Sequence, residues 1–392
     1  MIYLDYNATT PVASAVVEAM HPFWTEDFAN PASEHRAAAG PRSALDRAAE
    51  HVGGLVGASP SSVVWTSGAT EANNIVLRGA AEGALDPSRR RIVVTAGDHK
   101  ASLEPVRALA ARGHPVGIAP LAADGRVDLD ALAALLDDDV LLVSAIGASN
   151  ETGALNPVAE LTALAHEHGA YLHLDLAQWV GKLPIDLGHA GVDAASLSAH
   201  KLYGPKGVGA LVVSPSLRRA IAPLHHGGGH QGGLRPGTLD VPSIVGFGEA
   251  ARLAADHQDE RVHRLRQLRD LLLESIQQRV PDVEVNGPED EQARLPNTLN
   301  LRIRGADAQA VLANCPQLAA STGSACTSAA IEPSHVLEAM GLDREQAEEC
   351  LRLSVGVPTS EEEVVAAASM LGEAVAFVRG ADRDRSEPEV RV

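Results

Sequence analysis

Lys201 lies in the segment SLSAHKLYGPKG, residues 196–207, directly after an apolar run that reads as a buried strand. Open α/β sheets bind ligands at strand ends, so the polar residues of this segment are expected to face a crevice. A lysine so placed can form an imine once burial or a nearby cation lowers its pKa enough to free the amine. Ser198 and His200 beside it suit hydrogen bonds to a phosphate. Taken by itself, a lone lysine in such a segment reads first as an exposed loop residue.

Asp175 closes a second apolar run, in HLDLAQ (173–178), and so falls in the same crevice. A buried carboxylate needs a partner. A protonated pyridine nitrogen is one, and that pairing is how a protein keeps pyridoxal phosphate an effective electron sink. The plain alternative is an aspartate that caps the next helix or makes a core ion pair. The turn TSGATE (66–71) follows a strand and opens a helix. Its N–H groups and hydroxyls can cradle a phosphate at the helix N-terminus, or simply cap the helix. His99 in GDHK and Asn150 in SNETG also end predicted strands. They offer an imidazole for stacking or proton transfer and an amide for ring contact.

These residues need a sheet to hold them. Short apolar runs at 63–65, 91–95, 116–119, 140–145, 171–174, 194–198 and 208–213 alternate with helical stretches at 43–55, 71–84 and 158–168. The alternation predicts an α/β fold whose sheet is covered on both faces. A Gly-rich loop at 227–237 follows, then one long helical run at 242–280 connecting to a second unit. That unit reads as α+β, with strands at 298–303 and 351–355, a helix at 306–313, and a last helix opened by the capping box Ser360/Glu363. The expected division is a large domain over 12–250, a small one from 1–11 and 251–378, and a loose tail over 379–392.

The chain has 392 residues, 45% apolar and 21% charged, ample for a large core and two or three domains. Its net charge of −19 repels phosphate backbones and anionic membranes, so neither nucleic acid nor membrane is an expected partner. The start lacks a basic stretch followed by an apolar run, and no uncharged run of eighteen apolar residues occurs, which reads as cytoplasmic. Three cysteines, Cys315, Cys326 and Cys350, argue against a disulfide framework and miss the short zinc spacings. No metal site is expected, His225, His226 and His230 included. Cys326 stands in a run of small polar residues, 321–328, which favours an accessible thiol over a buried one.

Together these segments resemble the cysteine desulfurases, within the fold-type I pyridoxal phosphate enzymes. The likeness runs almost the whole chain, from YLDYNATTP (3–11) and NPASEH (30–35) through the segments above to Gly237-Thr238 and STGSACTS (321–328). It implies a large domain with a mainly parallel sheet, a smaller α+β C-terminal domain, pyridoxal 5'-phosphate as cofactor, and a homodimer. It implies Lys201 as the imine-forming lysine and Asp175 as the pyridinium partner. Gln178 would meet the ring hydroxyl, His99 would stack on the ring, and Asn150 would touch ring and substrate. Ala69, Thr70, Ser198 and His200 would hold the phosphate, with Thr238 supplied from the other subunit. Arg352, which its own sequence context marks as a surface residue, would hold the substrate carboxylate.

The implied reaction converts L-cysteine to L-alanine. Lys201 takes the Cα proton, His99 moves protons at the substrate thiol, and Cys326 captures the sulfur as a persulfide for an acceptor protein, as in iron-sulfur cluster assembly. A related lyase or aminotransferase of the same fold, such as a selenocysteine lyase, would use Lys201 and Asp175 without needing Cys326. Val357 and Pro236 replace an arginine and a serine found in many relatives. The short charged C-terminus lacks the longer tail by which relatives serving general iron-sulfur assembly often dock a scaffold.

Overall fold

The computed structural model describes residues 1–322 and 334–386. A short β1 (Ile2–Tyr3) precedes the strands of the central sheet: β2 (Val63–Thr66), β3 (Arg91–Thr95), β4 (Val116–Ala119), β5 (Val140–Ile146), β6 (Tyr171–Asp175), β7 (Ala194–Ser198) and β8 (Gly209–Val213). Their spatial order is β2-β8-β7-β6-β5-β3-β4. Strand β8 is antiparallel to both its neighbours, and the remaining pairings are parallel. Every residue of β5, β7 and β8 is buried, as expected of strands covered on both faces.

One consequence of parallel pairing positions the site. The ends of β2, β3, β5, β6 and β7 share one edge of the sheet, where the chain continues into residues 67–71, 97–100, 147–150, 175–178 and 198–201. Strand β8 enters from that same edge. A Cβ on its first residue, Gly209, would lie 2.6 Å from Gly68 Cα, so only glycine lets the turn after β2 pack directly on β8.

The second sheet contains β9 (Val283–Asn286), β10 (Thr298–Ile303), β12 (Ser321–Thr322) and β13 (Cys350–Ser354), ordered β12-β13-β10-β9, while β11 (Leu318–Ala319) pairs with β1. Two helices divide the packing. Val241–Asp256 lies on Ala39–Leu55 in the core of the larger sheet, through Val52, Phe247 and Ala251. Gln258–Gln277 lies on Glu361–Ser386 in the core of the smaller one, through Leu268, Leu272 and Leu371. The single helix expected over 242–280 is therefore two, broken at His257 with φ −123° and ψ 18°. Each half buries its stripe in a different core, which one straight helix could not do.

The final helix opens on the expected capping box: Ser360 Oγ accepts the Glu363 amide at 3.2 Å, and Glu363 Oε2 accepts the Ser360 amide at 3.0 Å. It is long and apolar enough by composition to cross a membrane, but Val364, Ala367, Leu371 and Val378 are buried in the smaller core. It also runs on to Ser386, so residues 379–386 of the expected loose tail are helical, while 387–392 lie outside the described residues. Arg379 holds that stretch with two hydrogen bonds to the Asp282 carboxylate, at 3.1 and 2.9 Å.

Candidate active site

The strand ends line a cavity of about 520 Å³, and Lys201, Asp175, Gln178, His99, Asn150, Ala69, Thr70, Ser198, His200 and Arg352 all face it. The structure thus brings together every expected site residue except two. Thr238 is exposed on its own chain and is not among the lining residues. Cys326 lies outside the described residues.

Lys201 ends a 3-10 turn, Ala199–Lys201, that continues β7. It is half-buried and does not stand free in a loop, since Nζ donates to the carbonyls of Asn7 and Ala8, the latter at 2.8 Å. Asp175 is 5% exposed. Its Oδ1 accepts the Ala177 amide at 3.0 Å within the turn that follows β6, so it does not cap the next helix, whose N-cap is Asp186, and its Oδ2 accepts from Asn73 Nδ2 at 2.7 Å. The Asn73 Oδ1 behind it is buried with no partner among the described residues.

The helix Ala69–Gly83 begins at the cavity. Its N-cap is Gly68, which supplies no side-chain bond, so capping is not what the TSGATE turn does with its first-turn amides. An uncapped helix N-terminus suits an anion. His200 and Ser198 approach the same end. Burial, then Lys201 and Lys206, push the His200 pKa down to about 4, leaving a neutral ring whose Nδ1 is 3.1 Å from Thr9 Oγ1. The Gly-rich loop is clamped nearby: Arg235 pairs with Glu71 at 2.9 Å, and Gln231 bonds both the N and O of Trp65.

His99 is the N-cap of the helix Lys100–Ala110. Its Nδ1 accepts the Ala101 amide at 3.0 Å, so in the neutral ring the proton sits on Nε2. Burial lowers the His99 pKa, with Lys201 and Lys100 pushing the same way against the Asp175 carboxylate.

Across the cavity stands Arg352, in the middle of β13 and only 2% exposed, so the surface reading of that residue is wrong. A strand interior buried on both faces leaves its side chain nowhere to go except toward the larger sheet. Nη2 pairs with Asp5 Oδ1 at 2.7 Å and Nη1 donates to Asn150 O at 3.1 Å, while Nε has no partner among the described residues. A guanidinium with a donor to spare suits a carboxylate.

Several site residues carried no sequence signal strong enough to single them out. Asn7 joins both sheets: its Nδ2 donates to Thr298 Oγ1 at 2.9 Å, its amide to Ser354 Oγ at 2.9 Å, and its carbonyl accepts from Lys201 and Gln178. Asn73 lies one turn beyond Ala69 and Lys182 one turn beyond Gln178, so helical spacing from a site residue was the clue available.

The described cysteines are both buried. Burial raises the Cys350 thiol to about 11, and raises Cys315 as well. Among the described residues no cluster of three His, Cys, Asp or Glu side chains converges as a metal site.

The donor set fits a phosphorylated pyridine aldehyde: a lysine for the aldehyde, a buried carboxylate for the ring nitrogen, and a helix N-terminus for the phosphate. Known proteins agree. Residues 2–366 match the class-V aminotransferases, and the chain belongs to that family. Within it the chain stands with the cysteine desulfurases. A cysteine desulfurase of Frankia sp. (strain EuIK1) is 46% identical over 389 residues, covering 97% of this chain and 92% of the relative. Among solved structures, a NifS-like protein superposes with a TM-score of 0.88 at 34% identity, covering 96% of this chain and 99% of its own. A structure described as SspA in complex with cysteine gives 0.80 at 32% identity, covering 91% and 99%.

Proposed function

We propose that this chain is a pyridoxal phosphate-dependent cysteine desulfurase, converting L-cysteine to L-alanine and passing the sulfur through a persulfide on Cys326 to an acceptor protein. The observation that carries it is the meeting of Lys201, Asp175 and Arg352 in one cavity. The cysteine complex of the related SspA supports the choice of substrate. Bound there, pyridoxal phosphate supplies an electron sink for the charge left at the substrate Cα.

The chain's own residues do the rest. Arg352 takes the substrate carboxylate, which fixes the Cα–H direction. Lys201 Nζ accepts the Cα proton, and the Asp175 carboxylate holds the ring nitrogen protonated. Ala69, Thr70, Ser198 and His200 hold the phosphate, Gln178 meets the ring oxygen, and Asn150 flanks the ring. His99 Nε2 holds the proton that is exchanged at the substrate sulfur. The Cys326 thiolate then attacks that sulfur: the S–S bond forms, the C–S bond breaks, and its electron pair stays with the carbon skeleton, which is protonated to alanine.

The described residues on either side of the Cys326 segment are tied to Arg352 and to the neighbour of Asn150. On one side Ser321 pairs with Arg352 across β12 and β13. On the other, Ser334 donates to Glu151, the neighbour of Asn150. Cys326 follows Thr322 by four residues, a reach of up to about 14 Å. The exposed Thr238 serves a second copy of the chain, so the protein is a homodimer in this reading.

Borohydride reduction of the yellow protein, followed by peptide mapping, should place the pyridoxyl group on Lys201. Cys326→Ala should keep the colour and release essentially no sulfide, and the parent should run near twice 40.8 kDa. A label on Lys206, or sulfide release that survives in Cys326→Ala, would overturn the assignment.

A further inference from the structure

Lys182 is a lysine for which the reaction above has no use. It is 6% exposed, in the turn after β6, and is not itself a lining residue but lies against two that are, Gln178 and Asn7. Its Nζ donates to Gln178 Oε1 at 2.5 Å and to Asn7 Oδ1 at 3.2 Å. Asn7 Oδ1 accepts a second bond from Asn297 Nδ2 at 3.1 Å.

A lysine head always brings donors, and in its ammonium form it has no acceptor. An amide that takes a bond from it turns its oxygen inward and its nitrogen away, as Gln178 does here. For Gln178 the nitrogen so turned is Nε2, which donates at 2.8 Å to the Asn7 carbonyl, the same oxygen that takes a bond from Lys201 Nζ. The amide donor of Gln178 and the amine of Lys201 are thus aimed at one point.

We propose that Lys182 is a positioning residue: it fixes the sense of the Gln178 amide, so that an N–H and never a carbonyl oxygen meets the ring oxygen of the group that Lys201 binds. This rests on the pyridoxal phosphate reading. A buried lysine is an expensive way to hold an amide, because burial and then the Lys201 and Arg352 charges all work against its ammonium form. A flipped Gln178 would turn a lone pair on the ring oxygen, whose negative charge an N–H stabilises. That donor also weakens the hold on the proton shared between the ring oxygen and the Lys201 nitrogen.

The test reads the pH midpoint of the holoenzyme's visible band without substrate. K182M, which keeps the volume and removes the donors, should raise the midpoint by about one unit, a tenfold change in proton affinity. In a Q178A background the same substitution should move it by less than about 0.3 unit, since its effect passes through Gln178. Equal shifts in both backgrounds would mean that Lys182 acts by charge through space, and no shift in either would mean that it is structural; both results overturn the proposal. Should K182M not fold, K182Q decides: it keeps an amide donor without a charge, so a midpoint within about 0.3 unit of the parent supports the proposal and a full-unit rise refutes it. A parent with no visible band on adding pyridoxal phosphate would overturn the cofactor reading and this inference together, a result distinct from a band that K182M leaves unmoved.

Discussion

The two sides of the cavity are built differently. The floor comes from the larger sheet, whose contributions stand at or just beyond strand ends: Asp175 as the last residue of β6, Ser198 to Lys201 at and after the end of β7, His99 after β3. The opposite wall comes from the smaller sheet, and its principal side chain, Arg352, projects from the middle of a strand. Strand ends leave the backbone free to turn polar groups toward a ligand, whereas a mid-strand residue is committed by register alone. In the proposed reaction the floor would hold the group that stays, and the wall would meet the molecule that comes and goes.

Substitutions should separate these roles. Lys201→Ala should abolish the covalent attachment and lower sulfide release on the order of 10⁴-fold, and a retained reducible adduct would break the division at its base. Asp175→Asn should lower kcat by roughly 10²-fold and shift the visible band, because the ring nitrogen loses a charged partner. Arg352→Lys belongs to the other side. It should raise KM for cysteine about tenfold to a hundredfold and leave the band in place, since an ammonium cannot reproduce the planar fork. A band moved by Arg352→Lys would show that the wall shares in holding the cofactor.

The smallest effect sharpens the comparison at the rim. Burial raises the Glu151 pKa to about 7, above its ordinary 4.5. The folded protein then holds a proton that the unfolded chain has released, so this group's contribution to stability is full below about 4.5 and lost as pH rises through 7. Glu151→Gln cannot ionise. Its Tm relative to the parent should rise by a few degrees between pH 5.5 and 8.5. Asp98, also raised to about 7, is present in both proteins and cancels.

Legibility in the sequence follows the same line. The floor was readable because each residue ends an apolar run, and period and position together mark such a place. The wall was not: Arg352 in LRLS looks like any alternating strand charge, and only the burial of every residue of β13, a strand flanked by β10 and β12, shows both faces covered. The break at His257 escaped for a related reason, since apolar periodicity says that a stripe is buried but not in which core. Asn7 and Lys182 were invisible because their partners are fixed by tertiary approach. The Asn7 hydrogen bonds to Thr298 and Ser354 span 291 and 347 residues.

That last pairing bears on how the protein is made. Within this chain Asn7 is synthesised long before Ser354, so it is not fully bonded until Ser354 emerges. The strand ends of the floor are complete once β8 has been synthesised, long before. A chain synthesised as far as β8 therefore has the strand ends of the floor without the wall that bears Arg352, and Asn7, whose carbonyl accepts from Lys201, gains its bonds to Thr298 and Ser354 only afterwards. In the proposed reaction, turnover must wait for β13, which carries Arg352.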